Sequence, residues 1–312
     1  MAVTQLDKGN SFRALHQGPP TFVIANAWDA GSARILASVG FAALATSSGA
    51  AAGTYGTRDG AITRDQALAH ARAIVDATDL PVSADLESGF GATAKDVAET
   101  YLQAAAVGLV GATLEDATPG SRKDKPLFDI GEATERVAAA VEATRKLGFP
   151  FLLTARAEGF LRGNTDLDDA IKRLQAYEKV GAEVLMAPGL PDLASVKAVC
   201  AAISKPFNFM AGIPGKSFSV AELEAAGVRR ISLRLALSRR DERARGRRPG
   251  GEGQGNVRVH RHVAAGGRAR RIHAGLSGRP CAGVGVGSLV NVRVGRRDGL
   301  LKNSRPWSLA TA

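Results

Sequence analysis

The chain has 312 residues, with 41 Lys and Arg against 30 Asp and Glu, and a formal net charge of +11. That length suits one α/β barrel, which takes about 250 residues, or two smaller domains. No segment approaches the roughly 18 consecutive apolar residues of a membrane helix, and no basic stretch followed by an apolar run opens the chain, so a cytoplasmic protein with no membrane partner is expected.

The charge is unevenly spread. Residues 234–312 hold 17 Arg, one Lys and four acidic residues, a net of +14, whereas residues 1–233 carry a net of −3. Any nucleic-acid binding would have to come from the tail. The two cysteines, Cys200 and Cys281, are too few and too far apart for a disulfide framework or a thiolate zinc site. Cys200 lies on an apolar, helix-like stretch and reads as a buried structural thiol.

In chain order, short apolar runs that end in polar residues occur at 22–29, 43–48, 82–88, 111–116, 151–158, 184–188, 207–212 and 230–233. These are eight predicted strands. Between them, helical periodicity predicts helices over 31–39, 64–77, 94–106, 130–146, 167–180, 193–203 and 220–226. Thr63 and Ser219 stand where N-caps are wanted. Gly40, Gly108, Gly148, Gly181 and Gly227 stand where a left-handed residue would end a helix. Eight strands alternating with helices predict a closed, parallel (β/α)8 TIM-type barrel over residues 1–233.

Beyond Leu233 the texture changes. Arg and Gly make up 31 of the last 79 residues, and no helix or strand period is sustained. Three readings stay open for residues 234–312: an Arg/Gly-rich RNA-binding segment, a disordered extension, or the product of a reading-frame change in a GC-rich gene. The near absence of Lys favours the third. The RNA reading lacks base-stacking aromatics, since only Trp307 occurs there.

In such a barrel the chemistry sits at the C-terminal strand ends. The third run ends Ala84-Asp85-Leu86-Glu87-Ser88-Gly89-Phe90-Gly91, the fourth Thr113-Leu114-Glu115-Asp116, and the fifth Thr154-Ala155-Arg156-Ala157-Glu158. Asp85 and Glu87, two apart on a strand, are expected to share a face. With Glu115 on the next strand they form an all-oxygen set suited to Mg²⁺ or Mn²⁺. Arg156, inside an apolar strand, needs an anionic partner: the metal carboxylates, a substrate carboxylate or developing oxyanion, or a structural ion pair with Glu158 or Asp116. Thr46-Ser47-Ser48-Gly49 ends the second run as a small-residue turn able to cradle an anion. Asp59 sits on a glycine-flanked loop over the same mouth.

These strings, together with Gly181-Ala182-Glu183-Val184-Leu185, resemble the isocitrate lyase/phosphoenolpyruvate mutase family from about residue 22 to 233. The resemblance implies a Mg²⁺-dependent lyase or mutase that acts on a small 2-oxo or 2-hydroxy acid, breaking a carbon-carbon or carbon-phosphorus bond through an enolate. By motif it implies Asp85, Glu87 and Glu115 as the metal shell, partly through waters, and Asp59 as a loop carboxylate near the substrate. It implies Arg156 as a substrate-binding arginine, and Ser47, Ser48 and Gly49 as the carboxylate-binding turn. Oxaloacetate decarboxylation and phosphonopyruvate hydrolysis are alternatives on the same residues.

Two departures narrow the resemblance. The loop from Ala117 to Lys125 has no Cys or His, unlike the Lys-Lys-Cys-Gly-His loop of isocitrate lyases, so the short, mutase-like branch is indicated, with Arg122, Lys123 or Lys125 on a lid. Family members also continue past the eighth strand into helices, one of which is exchanged between subunits. Here Arg/Gly-rich sequence follows instead, so the family's homo-oligomer is not expected to carry over intact.

Overall fold

The computed structural model describes residues 2–120 and 124–233. The predicted tail, and Arg122 and Lys123 of the predicted lid, lie outside the described residues. The strands are β1 Phe22–Asn26, β2 Leu44–Ala45, β3 Val82–Asp85, β4 Gly111–Glu115, β5 Leu152–Arg156, β6 Val184–Met186, β7 Phe207–Ala211 and β8 Val228–Leu233. The helices are α1 Gln5–His16, α2 Ala30–Ser38, α3 Ser48–Thr54, α4 Arg64–Asp76, α5 Ala94–Ala106, α6 Ile130–Arg145, α7 Gly159–Arg162, α8 Leu167–Lys179, α9 Leu193–Ala202 and α10 Val220–Ala225.

The strands pair in order, all parallel, and β1 closes on β8, giving the predicted eight-stranded barrel. Thr63 and Ser219 both cap their helices through reciprocal capping boxes. Gly40, Gly108, Gly181 and Gly227 adopt the left-handed backbone expected after a helix. Gly148 does not, and that expectation is corrected: the connection from α6 to β5 turns without a positive φ there.

Most strands are shorter than their apolar runs because the runs continue outward as loop starts. The consequence is largest at β3, which ends at Asp85. Glu87 is therefore not a strand residue sharing a face with Asp85 by alternation. It stands in a left-handed conformation with φ 50°, followed by Gly89 at 90° and Phe90 at 52°.

Helix α1 was not legible as an amphipathic segment, since its only apolar side chains are Leu6, Phe12, Ala14 and Leu15. It nevertheless seals the N-terminal end of the barrel. Phe12 is fully buried among Ile24, Ala43, Val110, Leu152 and Val184. Gly9 permits this approach, because a Cβ there would fall 2.6 Å from the Pro150 carbonyl oxygen.

His16 closes the same plug, edge-on to Phe12 and Phe22. Its Nδ1 lies 2.8 Å from the Phe12 carbonyl oxygen, so Nδ1 is the protonated nitrogen and Nε2 faces Arg230 at 3.4 Å. Burial, reinforced by Arg230, lowers its pKa to about 3. The unfolded chain therefore binds a proton that the folded chain refuses between pH 6.5 and 3, so this histidine removes stability as the pH falls through that window. Between pH 7.5 and 5 the loss should be about 2 kcal/mol. His16→Gln should remove this part of the slope, measured as urea midpoints at the two pH values. Equal slopes in the two chains would contradict the buried neutral histidine.

Candidate active site

The C-terminal mouth of the barrel opens into a cavity of about 640 Å³ lined by Asp59, Asp85, Glu87, Glu115, Glu158, Arg156 and Arg162, with Ser47, Ser48 and Gly49 on one wall. Every site residue expected from the sequence therefore reaches one cavity. They arrive there by different local routes.

Asp85 ends β3 and is held from three sides. Its Oδ2 accepts from the Ser48 N–H at 3.2 Å and the Ser48 hydroxyl at 3.1 Å. Its Oδ1 accepts from Thr113 Oγ1 at 3.3 Å and from Arg156 Nη1 at 3.2 Å. Burial pushes this carboxyl up, but Arg156 and the backbone donors of Ser48 and Glu87 hold it below the usual range.

Ser47, Ser48 and Gly49 form the entry of α3 rather than a plain turn, and the expectation is corrected on that point. Ser47 is the N-cap and its hydroxyl accepts from Ala50 N at 3.4 Å. Small residues here keep helical backbone close to Asp59, whose Oδ2 would lie 3.4 Å from a Cβ on Gly49. Burial, followed by the charge of Asp85, raises the Asp59 carboxyl above its ordinary value.

Glu87 is the most poorly provided carboxylate. Its Oε1 is buried with no hydrogen-bond partner among the described residues. Burial, then Asp85 and Asp59, raise its pKa to about 7. A left-handed non-glycine residue costs on the order of 1 kcal/mol or more and persists only where the surroundings enforce it. Here the Glu87 carbonyl accepts from Glu115 N at 2.9 Å. Buried Arg136 clamps the rest of the turn by donating to the carbonyls of Ser88 at 2.7 Å, Gly91 at 2.8 Å and Ala92 at 3.2 Å.

Gly89 completes the turn, since a Cβ there would meet Val97 at 3.0 Å and Leu114 at 3.2 Å. Arg136 was missed in the sequence because it sits on α6, distant in the chain from the turn it holds.

Arg156 ends β5 and carries three carboxylates: Asp85 at 3.2 Å, Glu115 at 3.2 Å and Glu158 at 2.8 Å. Burial favours its neutral form, but those carboxylates, Glu158 foremost, hold the guanidinium firmly charged. Asp116 is not its partner. Asp116 instead accepts from Glu158 N at 2.8 Å, Arg173 at 3.0 Å and the Tyr177 hydroxyl at 2.7 Å, which fixes the corner carrying Glu158. Glu115 also meets Arg162 of α7 at 3.4 Å. Burial and then Glu158 raise the Glu115 carboxyl well above its usual value.

The pairing of Arg156 with Glu158, one of the two structural ion pairs expected, is thus present, whereas Arg162 escaped the site reading because α7 spans only four residues, too short to leave a periodic signal. Lys125 of the predicted lid pairs with Asp129 at 3.0 Å and Glu132 at 3.3 Å on an exposed surface. Cys200 is half-buried and is not among the residues lining the cavity, with burial pushing its thiol up to about 12, which fits a structural thiol.

With the arginines drawn onto Asp85 and Glu115, no three metal-ligating side chains among the described residues are gathered closely enough to hold an ion as they stand. The donor chemistry nevertheless fits a hard cation. Asp85, Glu87 and Glu115 offer only oxygen, and the unpartnered, buried Glu87 Oε1 is the atom a cation would satisfy.

A family model described as phosphoenolpyruvate phosphomutase matches residues 12–244. The chain belongs to that family. It is 49% identical, at a TM-score of 0.73, to a crystal structure described as that of a lyase/mutase of Burkholderia cenocepacia J2315, covering 77% of this chain and 85% of that one. It is 32% identical to the 2-methylisocitrate lyase of Escherichia coli K12 over 64% of this chain and 68% of the relative. It is 30% identical to the oxaloacetate decarboxylase of Ectopseudomonas mendocina over 63% and 68% respectively. The phosphomutase family thus unites lyases, mutases and decarboxylases of small carboxylic acids on this barrel, and the chain is an enzyme of that kind.

Proposed function

We propose that this enzyme is a Mg²⁺-dependent lyase or mutase that cleaves or rearranges the bond next to the carbonyl or carbinol carbon of a small 2-oxo or 2-hydroxy acid. The observation that carries the reading is the meeting, in one cavity, of Asp85, Glu87 and Glu115 with the charged Arg156, while Glu87 Oε1 stays unpartnered. Asp85, Glu87 and Glu115 would hold the ion, and Mn²⁺ suits the same donors. When bound, the ion supplies Lewis-acid stabilisation of the oxyanion that develops as the bond breaks.

The side chains divide the remaining work. Glu158 grips Nε and Nη2 of Arg156 at 2.9 and 2.8 Å, so Nη1, which Asp85 holds at 3.2 Å, is the nitrogen that would turn to the substrate oxyanion once Asp85 is drawn onto a cation. Asp85 drawn onto a cation would release the N–H and hydroxyl of Ser48, and the Ser47-Ser48-Gly49 helix entry would then receive the substrate carboxylate. Asp59, with its raised proton affinity, is suited to carry a proton at the reacting carbon or oxygen.

A second reading, decarboxylation of oxaloacetate, is favoured by the Ala117 to Lys125 segment, which contains neither Cys nor His as an acid for carbon-carbon lysis. The panel that tests both presents oxaloacetate, phosphonopyruvate and 2-methylisocitrate to the purified full chain with Mg²⁺, and follows pyruvate. Mg²⁺-dependent pyruvate release from one of them is expected. The co-product, CO₂, phosphate or a second carboxylic acid, then assigns the bond. Turnover unaffected by a chelator would sink the metal-dependent reading.

A further inference from the structure

Arg230 is a buried guanidinium with no carboxylate partner among the described residues, and it lines the floor of the same cavity. Its neighbours are neutral. Nε donates to Asn208 Oδ1 at 2.9 Å, Nη2 donates to Thr154 Oγ1 at 3.0 Å, and Nη1 faces His16 Nε2 at 3.4 Å. These contacts use three of its five N–H donors. Its electrostatic neighbour is another cation, Arg156, and burial together with that like charge lowers its pKa to about 9, which still leaves it charged at neutral pH.

The backbone is built to aim this side chain inward. The ladder between β7 and β8 shifts register between Phe207 and Asn208, so that Phe207 faces Val228 while Asn208 faces Arg230. The extra residue, Arg229, makes a bulge of the kind that redirects a side chain beside a site. Register then runs from Arg156 to Met186, Met186 to Asn208 and Asn208 to Arg230. The two arginines thus stand on one row, three strands apart in an eight-stranded barrel, on facing walls. Arg156 carries three carboxylates and Arg230 none among the described residues, so a buried charge is retained there against its desolvation cost.

We propose that Arg230 forms an anion subsite inside the barrel, which takes the acid group of the substrate farther from the carboxylate cluster. The Nε bond to Asn208 Oδ1 also orients the Asn208 amide, leaving its Nδ2 directed to Met186 Sδ at 3.0 Å and Ser232 Oγ at 3.1 Å beside the cavity. Which end of the substrate is farther rests on the proposed function. The subsite itself does not.

The test measures binding of succinate and its monoacid counterpart, butyrate, to the full chain by calorimetry, with and without Mg²⁺. Two variants are compared with the parent: Asn208→Asp, which supplies Arg230 with an internal carboxylate, and Arg230→Met. Succinate is expected to bind the parent at least tenfold more tightly than butyrate, and that preference should fall below twofold in both variants. Should Arg230→Met fail to fold, Asn208→Asp decides alone, since it adds a countercharge rather than removing one. Equal binding of the two acids by the parent, or a preference that survives in Asn208→Asp, would overturn the subsite. A preference that depends on Arg230 but not on Mg²⁺ would uphold the subsite while contradicting the metal reading.

Discussion

Asp85→Ala is expected to lower Mg²⁺-dependent turnover by about 10³-fold or more while leaving the barrel folded. The fold should tolerate the change because Arg156 keeps Glu115 at 3.2 Å and Glu158 at 2.8 Å. No buried charge is then left wholly alone. The lost bonds to Ser48 and Thr113 should cost about 1–3 kcal/mol, visible as a modest shift of the urea midpoint. Turnover assayed with Mg²⁺ and again with a chelator separates the two effects. If the variant with chelator present is as active as the parent with Mg²⁺, Asp85 has no metal role.

Arg156→Met should have the opposite profile, with both stability and chemistry damaged. Asp85, Glu115 and Glu158 would lose the guanidinium that holds them together, and breaking one member out of a buried ion network costs about 3–5 kcal/mol. Without it the proton affinities of Glu115 and Glu158, already raised by burial, rise further above their unfolded values, and Asp85 loses the guanidinium that helps hold its own below. The part of the stability that these two glutamates contribute should therefore be fully present at low pH and be lost as the pH rises through the raised folded values, a slope opposite to that of His16. Adding Mg²⁺ should restore part of it, by about 2.7 kcal/mol at a hundredfold excess over its dissociation constant. Urea midpoints at pH 5 and 8, with and without Mg²⁺, check all three statements. A variant as stable as the parent at pH 8 would mean that Arg156 is not the countercharge of the cluster.

Much of the barrel was legible because its signals are local and repeated. Each apolar run, each capping residue such as Thr63 or Ser219, and most of the C-terminal glycines act within a turn or two of chain. Elements that depend on distant partners were not. Helix α1 has few apolar side chains and is held by burying Phe12 against Ile24 of β1, Leu152 of β5, Val184 of β6, and Ala43 and Val110, which lead into β2 and β4. Helix α7 is one turn long, and what it contributes, Arg162 near Glu115, exists only once β4 and β5 are paired.

The candidate site divides along the same line. The sequence by itself determined which chemistry is available: carboxylates at consecutive strand ends, one arginine in an apolar strand, and a small-residue turn. Tertiary structure alone decided how those groups are deployed. It turned Glu87 off the strand through a left-handed residue, gave Arg156 to three carboxylates at once, and left Arg230 with none among the described residues. The physical reason is range. Strand and helix periods are set by neighbours in the chain, whereas the charge state and partner of a buried ionisable group are set by whatever the barrel brings within a few ångströms.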